Sequence, residues 1–432
     1  MLAPGAGLGR GAWAAACTNV GASGGFIAPS GDASGLADTR TFRAAMRRGG
    51  VWGLTPGGRY FINGRIAIER PSSGFSCAGA GAQIVMLTGP GGFDLDRYDP
   101  GEHFGERHVG LLALGVDRPT LDGLRVSMQP NPGVRVCIPF ALRGCSNLRI
   151  GRLEYWGFKE TWRGLFTLDS CAGGVVCDLY AHDCNPDTDV LPSLQVSAVV
   201  LDDNRIAGRN TTGVSFGAVR YSNLLFGPRA LARYGPQTDA VTVMSSGWTG
   251  ASFGLISGEG VGEVLDCWGD GVTARIHARQ TQLYPVKLMY GAQRCRITAD
   301  VDGTGLSAVY LAGTADNPLR RRQGVEHNII QVTAKNVGAL HDSVAAVWRP
   351  MPSMQAGVYF DNPGLGHDPA DNQVRGSVSA APGARMPYAV GVSASGPGNV
   401  VALAGGGFTR SFANDVRGLR FPPAMRALQA AR

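Results

Sequence analysis

Residues 263–311, EVLDCWGDGVTARIHARQTQLYPVKLMYGAQRCRITADVDGTGLSAVYL, contain the repeat that decides the fold. Leu265, Leu288 and Leu311 each lie in a short apolar strand, and 23 residues separate each leucine from the next. Between these strands lie turn residues and a second kind of short strand. A unit of this size without a helix cannot bury its apolar face alone, so successive units must stack as rungs. The repeat therefore predicts an all-β solenoid, a parallel β-helix.

The same two kinds of strand recur from about residue 145 to residue 392, with longer intervals that indicate loop insertions. Of the 432 residues, 64 are glycine, 44% are hydrophobic and 17% are charged. This composition provides enough apolar material for a core and excludes a disordered chain, and the glycines have no collagen period. We predict four regions, namely an N-terminal arm (1–31), a cap with the first rungs (32–90), the β-helix body (91–405) and a C-terminal cap or tail (406–432).

One helix is predicted, over residues 38–46, immediately before the first rungs. Asp38 or Thr39 would cap it, its apolar residues lie on one face, and Gly49-Gly50 would end it. Turn residues then separate short strands, which are predicted at 51–54, 59–62, 65–68 and 83–87.

The region from Gly31 to Val85 resembles the N-terminal segment of the pectate-lyase-like, or pectin-lyase-fold, right-handed β-helix proteins. The matching pieces are Gly31-Asp32, Asp38-Thr39, Phe42, Gly49-Gly50, Val51, Pro56-Gly57-Gly58-Arg59-Tyr60, Ile62, Gly79-Ala80-Gly81 and Ile84. The resemblance implies a right-handed, single-stranded parallel β-helix whose short N-terminal helix caps the open end. The superfamily contains lyases, hydrolases, epimerases and phage tail spikes, so the resemblance implies the fold more specifically than the activity.

Charge and hydropathy limit the partners of the chain. The net charge is +7, but the basic residues are dispersed and are not interleaved with aromatic residues, so we expect no nucleic-acid partner. No apolar run is long enough for a membrane span. The N-terminus lacks the pattern of a signal peptide. We therefore expect a chain made in the cytoplasm that is released or carried on a particle and acts outside the cell.

The nine cysteines are odd in number and irregularly spaced. They contain no zinc-binding spacing, so we predict buried, reduced thiols and no resident metal.

The first candidate site is an acidic cluster in the body of the predicted β-helix. Its candidate catalytic residues are Asp187, Asp189, Asp202 and Asp203, and its candidate substrate-binding residues are Asp169, His182 and Arg205. Asp169 and Asp202 follow their strands at the same position, so we expect them to stack on neighbouring rungs. Such carboxylates could hydrolyse a glycosidic bond, or hold Ca²⁺ while a base removes a proton; alternatively they are turn-forming residues without chemistry.

This cluster also resembles the polygalacturonase group of glycosidases, in either Asn185-Pro186-Asp187 or Asp187-Thr188-Asp189, and in Asp202-Asp203. The Gly-His-Gly motif of that group is missing, because no histidine lies between His182 and His277.

The second candidate site surrounds Lys287, which follows Glu263 by 24 residues, close to one rung. Lys287 is either a lyase base or the partner of a plain ion pair. Its candidate substrate-binding neighbours are Glu263, Asp266, Trp268 and Tyr290. The two aromatic residues would form either a sugar-stacking surface or part of the core.

Two functions from different classes remain open at this point. The first is a phage or phage-like spike or fibre component that binds host capsule or lipopolysaccharide, with or without cleaving it. A homotrimer is the assembly expected in that case. Residues 1–31 would then dock to other particle proteins. The second is a free-standing polysaccharide lyase or glycoside hydrolase that acts on an acidic polysaccharide. No cofactor is expected in either case, except Ca²⁺ if the acidic cluster holds it.

Overall fold

The structure is a computed structural model. It describes residue 17 and residues 21–87, 109–129, 138–158, 163–185, 187, 196–202, 210–244, 247–313, 324–347, 354–362, 367–413 and 419–420. The chain divides into two compact units, which are described separately. The first unit comprises Met1–Ala230 with Gly250–Gly254, and the second comprises Leu231–Thr249 with Leu255–Arg432.

The first unit consists of short parallel strands in two sheets, with one helix, α1 (Leu36–Arg48), near its N-terminus. One sheet contains β1 (Gly25–Ile27), β2 (Val51–Leu54), β3 (Arg59–Ile62), β5 (Gly74–Ser76), β6 (Ala82–Leu87), β8 (Thr120–Asp122), β9 (Leu124–Gln129), β11 (Ser146–Trp156), β13 (Ala172–His182) and β15 (Thr212–Leu224). The other contains β4 (Ile66–Ile68), β7 (Val109–Leu114), β10 (Ile138–Arg143), β12 (Arg163–Asp169) and β14 (Val196–Asp202). Each strand pairs in parallel with its equivalent one rung away, as the repeat predicts.

The second unit repeats this arrangement. One sheet contains β16 (Thr238–Val243), β18 (Glu263–Cys267), β20 (Val286–Leu288), β22 (Val309–Ala312), β24 (Ala356–Asp361), β26 (Tyr388–Val392) and β28 (Arg410–Ala413). The other contains β19 (Thr273–Thr281), β21 (Arg296–Thr304), β23 (Ile329–Val337), β25 (Gln373–Ala380), β27 (Asn399–Ala404) and β29 (Leu419–Arg420). β17 (Ser252–Val261) is divided between the units, as is helix α2 (Pro228–Tyr234), and helix α3 (His341–Val347) belongs to the second unit. The predicted parallel β-helix is confirmed.

The register departs from the 23-residue spacing of the leucines in one place. Leu288 pairs with Leu311, 23 residues later, but Leu265 pairs with Val286, and Cys267 pairs with Leu288. The step from β18 to β20 is therefore two residues shorter than the next step. Because alternate residues of a strand point to the same face, a shift of two keeps every apolar side chain on its face. The 23-residue spacing therefore places the leucines on the same face of the sheet, although Leu265 and Leu288 are not register partners.

Helix α1 begins at Leu36, two residues before the predicted start, and its capping differs from the prediction. Asp38 is buried and accepts hydrogen bonds from the backbone N–H groups of Ser30 (2.9 Å) and Phe61 (2.8 Å), so it joins the helix to neighbouring segments. The Asp32 carboxylate instead accepts the Ala37 N–H at 3.0 Å. The predicted apolar face, Phe42, Ala45 and Met46, is buried, and the helix ends at Arg48 with Gly49 as its C-cap, as predicted.

The cysteines depart from the expectation that all thiols are reduced, because Cys17 and Cys177 form a disulfide. The spacing of the cysteines does not reveal this bond, because the two residues are 160 positions apart and meet only when the rungs stack. Cys137 lies outside the described residues. The remaining cysteines are free and buried, as predicted: Cys77, Cys145, Cys171, Cys184, Cys267 and Cys295.

Two further features concern partners and the core. No helix in the described ranges is long and apolar enough to cross a membrane. In the second unit, the buried amides of Asn328, Asn372 and Asn399 form a ladder of hydrogen bonds 2.9–3.0 Å long between successive rungs. This ladder satisfies polar turn groups in the core.

Candidate functional site

A column of polar side chains crosses four strands of the first unit, and in it the arginines are exposed while Glu154 and Tyr180 are half-buried. Arg125 of β9, Glu154 of β11, Tyr180 of β13 and Arg220 of β15 are consecutive register partners. Neighbouring strands of a sheet lie about 4.8 Å apart, so these side chains form a regular row. The residues that precede them in each strand are buried in the core. We call these four residues, together with Trp156, Asp178 and His182, the exposed ladder.

Two bidentate ion pairs fix the polar groups of the exposed ladder. The Arg125 guanidinium donates to both Glu154 oxygens at 3.1 and 3.2 Å. The Arg220 guanidinium donates to both Asp178 oxygens at 2.9 and 2.6 Å. The arginine side chains are about half exposed, at 47% and 49%, so solvent and ligands reach them. Paired donors and acceptors in fixed planes suit the recognition of hydroxyl and carboxylate groups.

The charges of these groups are stable near neutral pH. Partial burial by itself raises the pKa of Glu154, but hydrogen bonds from Arg125 and His182 outweigh it and lower the pKa. The hydrogen bonds to Asp178 raise the pKa of Arg220. A general acid needs a carboxyl group that is protonated at the working pH. Glu154 is therefore suited to hydrogen bonding and not to proton donation.

Three aromatic rings lie beside these ion pairs. The rings of Tyr180 and His182 stack at 4.7 Å, and those of Trp156 and His182 are nearly parallel at 6.2 Å. The Arg125 guanidinium lies over Trp156 and that of Arg220 over Tyr180, at 5.3 and 5.0 Å. These contacts hold the rings in place on the strand face. An aromatic ring combines an apolar face with a polar edge, which suits amphipathic ligands.

His182 joins the aromatic and ionic parts of the exposed ladder. Its Nε2 lies 3.3 Å from Glu154 Oε1, and its Nδ1 lies 2.9 Å from Asp183 Oδ2. Carboxylates on both sides fix the plane of the imidazole between the neighbouring rings. Of the sequence-predicted site residues, His182 is the one that the structure places in this surface.

An open pocket of about 150 Å³ adjoins the exposed ladder. Its wall includes Arg152, whose guanidinium donates to the Gly79 carbonyl at 3.2 Å and has no carboxylate partner within the described ranges. Glycine residues at 79, 81 and 123 line another part of the pocket, so no side chain fills it from there. Pockets for drug-sized ligands measure roughly 300–1,000 Å³. This pocket therefore suits one ring or substituent of a longer ligand.

The acidic cluster predicted from the sequence does not assemble as one site in the described residues. Asp169 and Asp202 are register partners on β12 and β14, so the predicted stacking on neighbouring rungs is confirmed. Both are buried, and Asp169 forms an ion pair with Arg143 at 2.9 Å. Asp187 lies elsewhere and accepts the backbone N–H groups at the start of α2, at 2.7 and 3.3 Å. The remaining predicted members lie outside the described residues: Asp189, Asp203 and Arg205.

The second candidate site is a buried polar group in the second unit, which we call the buried cluster: Asp239, Glu263, Asp266 and Lys287. The Lys287 ammonium donates to the Glu263 oxygens at 2.8 and 3.1 Å and lies 3.2 Å from Asp266. The side chains of Lys287, Glu263 and Asp266 are 9%, 0% and 0% exposed. The ion pair that the 24-residue spacing suggested is therefore present, and a polymer does not reach it.

The protonation of the buried cluster follows from its burial and charge balance. Burial by itself lowers the pKa of Lys287, but the carboxylates of Asp266, Glu263 and Asp239 outweigh it and raise the pKa. Burial raises the pKa of Glu263 to about 7 and also raises that of Asp239. Lys287 therefore stays charged near neutral pH, which does not suit a base that must accept a proton.

Trp268 and Tyr290 adjoin this cluster and pack against the apolar core. Their ring centroids lie 4.6 Å apart with an edge-to-face geometry, and both contact a buried group that includes Tyr284 and Tyr310. The Trp268 indole N–H also donates to Asp266 at 2.8 Å. The structure therefore places these two rings in the packing, which was the alternative to a stacking surface.

Sequence reasoning missed most of the exposed ladder, including Arg125, Glu154, Trp156, Tyr180 and Arg220. Their signal was present but dispersed. Glu154 and Tyr180 occupy the same strand position 26 residues apart, and Arg220 follows 40 residues later, so no local motif contains them. Aligning the strands by their buried residues would have revealed the row.

Within the described ranges, no group of three or more His, Cys, Asp or Glu side chains is arranged to hold a metal ion. Comparisons with protein families, curated proteins and solved structures found no match to this chain.

Proposed function

We propose that this protein binds a polysaccharide along the exposed ladder of its first unit. The observation that carries the proposal is the row of fixed aromatic rings and bidentate ion pairs beside an open pocket. Aromatic faces stack on the apolar faces of sugar rings, and the guanidinium and carboxylate groups bond to hydroxyls. The regular strand spacing extends these contacts in one direction, which suits a chain of sugars.

Arg152, which has no carboxylate partner in the described part of the chain, favours a saccharide with an anionic substituent. Three guanidinium groups, from Arg125, Arg152 and Arg220, face two carboxylates, from Glu154 and Asp178, so the lining carries one net positive charge. The two carboxylates are already engaged by Arg125 and Arg220. Arg152 therefore remains to pair with a carboxylate, sulfate or phosphate on the ligand.

The biological context that we propose is a spike or fibre component of a phage or phage-like particle that recognises host capsule or lipopolysaccharide. The fold and the resemblance to pectin-lyase-fold proteins support this context. A disulfide is typical of proteins that work in an oxidising medium, which favours an extracellular site of action. Docking to other particle proteins through residues 1–31 and assembly as a homotrimer belong to the same proposal.

The oligomeric part of this proposal has a direct test. Light scattering on the purified chain should give three times the 45.2 kDa monomer mass if the protein is a trimeric spike component. A monomer would contradict the spike context but not the saccharide-binding surface.

The alternative function is cleavage of an acidic polysaccharide by a lyase or hydrolase mechanism. One observation bears on it: Asp169 and Asp202 are aligned on neighbouring strands, but both are buried, so cleavage requires this pair to become accessible to the substrate. If this pair is catalytic, Asp202→Asn should abolish release of reducing ends or unsaturated uronate while binding persists. If the pair instead holds Ca²⁺, chelation should have the same effect.

The binding proposal is tested by comparing two tryptophan variants. Wild-type protein, Trp156→Ala and Trp248→Ala are titrated against a panel of bacterial capsular polysaccharides and lipopolysaccharides. Trp248 is the matched control, because it is a 57% exposed tryptophan of the second unit. We expect Trp156→Ala alone to weaken binding about tenfold, since the contacts of an aromatic ring contribute about 0.5–1.5 kcal/mol beyond the burial of its surface. Equal affinities of the two variants, or no binding by the wild type, would contradict the proposal.

A further inference from the structure

The disulfide of the first unit joins two distant levels of the β-helix. Cys177 lies in β13, and Cys17 lies six residues before Ser23. Ser23 is held beside β2, because its N–H donates to the Val51 carbonyl at 2.8 Å and its hydroxyl accepts the Val51 N–H at 3.1 Å. The bond therefore connects the N-terminal segment, which starts on the first rung, to a rung much further along.

The distance between these levels follows from the register. Successive partners along this sheet are Val51, Gly74, Thr120, Arg149 and Val175. Four rung steps separate Val51 from Val175, and Ser23, which pairs with the other edge of β2, adds a fifth, so about 24 Å separate Ser23 from the level of Cys177. Six residues reach at most about 20–22 Å. The Cα atoms of Cys17 and Cys177 lie 5.7 Å apart. With Ser23 in place, the six residues and the disulfide together therefore just cover this distance, and the bond ties the Ser23 segment to a strand five steps away.

The element that this bond secures is weak by itself. β1 has only three residues and pairs with β2. Its Phe26 side chain is 78% exposed, and its main anchor is Ile27, which is buried and whose carbonyl accepts the Tyr60 hydroxyl at 2.7 Å. Short terminal strands with few buried contacts open readily.

The chemistry of the other cysteines makes this pair selective. Cys17 and Cys177 are partly exposed, whereas the six free cysteines that the structure describes are buried. Burial raises the pKa of the Cys77, Cys171 and Cys267 thiols, so these groups form little thiolate. A hydrogen bond with Cys171 lowers the pKa of Cys145, but that thiol is only 1% exposed and is not accessible to an oxidant. Thiol–disulfide exchange requires an accessible thiolate.

We propose that the Cys17–Cys177 bond is a redox-controlled tie, open in a reducing cytoplasm and closed once the protein meets an oxidising medium. A small-molecule disulfide such as oxidised glutathione is the oxidant. One cysteine thiolate attacks it and displaces one glutathione thiol, and the second cysteine then displaces the other. Two electrons and two protons pass to the two glutathione molecules, and one protein S–S bond forms. Closure fixes β1 on the first rung; reduction releases it.

Hydrogen exchange with mass spectrometry tests this proposal without any saccharide ligand. The oxidised wild type is compared with the protein reduced by a phosphine and with Cys177→Ser; the control is Cys184→Ser, which removes a buried cysteine that is not part of a disulfide. We expect the amides of β1 to exchange about tenfold faster or more in the reduced protein and in Cys177→Ser. The amides of β21, in the second unit, should not change.

Two results would overturn the tie. The first is equal protection of β1 in the oxidised and reduced wild-type protein, a comparison that does not depend on any variant folding. The second comes from peptide mapping after the reduced protein is incubated with oxidised glutathione. We expect the loss of two hydrogens and a linked peptide pair containing Cys17 and Cys177. Free thiols at both positions, or bonds to other cysteines, would contradict the proposal.

Discussion

The exposed ladder of the first unit and the buried cluster of the second use the same geometry with opposite burial. Both place charged side chains at register positions on successive parallel strands. The arginines of the exposed ladder are 47% and 49% exposed, whereas Lys287 is 9% exposed and its carboxylate partners are fully buried. An exposed row of this kind is available to a ligand, but a buried one is committed to the fold.

The densest charged groups in the sequence therefore lie apart from the surface that we propose for binding. The buried cluster carries three carboxylates and one ammonium group, which must satisfy one another because water does not reach them. The exposed ladder keeps its side chains in bidentate pairs without losing contact with solvent. The free energy of unfolding should therefore respond strongly to changes in the buried cluster, and ligand affinity should respond to changes in the exposed ladder.

The largest expected effect is on stability, from Lys287→Met. This substitution leaves Glu263 and Asp266 buried without their counter-charge, and breaking a buried ion pair in this way costs about 3–5 kcal/mol. We expect an unfolding free energy of the second unit that is lower by that amount, measured by urea titration with hydrogen exchange of β18 to β22. A loss below about 1 kcal/mol would show that the cluster is not a buried, mutually dependent group.

The next largest effect is a pH dependence of the unfolding free energy, which arises from Glu263. Burial raises its folded-state pKa from the ordinary 4.5 to about 7, so folding favours the protonated form. The resulting stability is fully present below pH 4.5 and is lost as the pH rises to about 7. We expect the wild-type protein to lose about 2–3 kcal/mol across this interval relative to Glu263→Gln. If the two proteins show the same pH profile, Glu263 does not titrate in this interval.

The sequence predicts features that depend on a fixed local spacing better than contacts between residues that are distant in the chain. The strand repeat, the apolar face of α1 and the Lys287–Glu263 pair follow from periodicity, because each depends on residues at a fixed local spacing. The predicted helix cap was wrong because Asp38 accepts hydrogen bonds from backbone N–H groups that only the tertiary structure brings close to it. The disulfide was missed because its two residues meet only after the rungs have stacked.

The exposed ladder was missed for a related reason. Its members are spread over four strands, and insertions of different length separate them, so a search for dense acidic motifs selects turns and buried pairs instead. His182 was found only because it lies next to such a motif. A single sequence predicts which face a strand residue occupies more reliably than which residues of other strands lie beside it.

A smaller effect, on affinity, is expected for Arg152→Gln. Removing this cation of the pocket should weaken binding of an anionic polysaccharide by about tenfold, because a hydrogen bond to a charged group contributes about 1.5–3 kcal/mol. The affinity for the carboxyl-reduced or desulfated form of the same polysaccharide should be equal in Arg152→Gln and in the wild-type protein. Arg149→Gln, which alters an exposed arginine of the same strand outside the pocket, is the control. Equal losses in both variants would indicate a general charge effect.

The smallest expected effect is on stability, from Arg125→Met. Exposed ion pairs contribute about 0–1 kcal/mol, so we expect a change in the unfolding free energy of the first unit within that range. The same urea titration that is used for Lys287→Met measures it. A loss as large as that of the lysine variant would remove the distinction between the exposed ladder and the buried cluster.

Hydroxyl-radical footprinting with mass spectrometry tests most directly whether the exposed ladder binds a polysaccharide. The protein is compared with and without the tightest-binding polysaccharide of the panel. We expect bound polysaccharide to lower the oxidation rates of Trp156, Tyr180 and His182 and to leave the oxidation rate of Trp248 unchanged. Protection of Trp248 with no change at the three ladder rings would contradict this expectation.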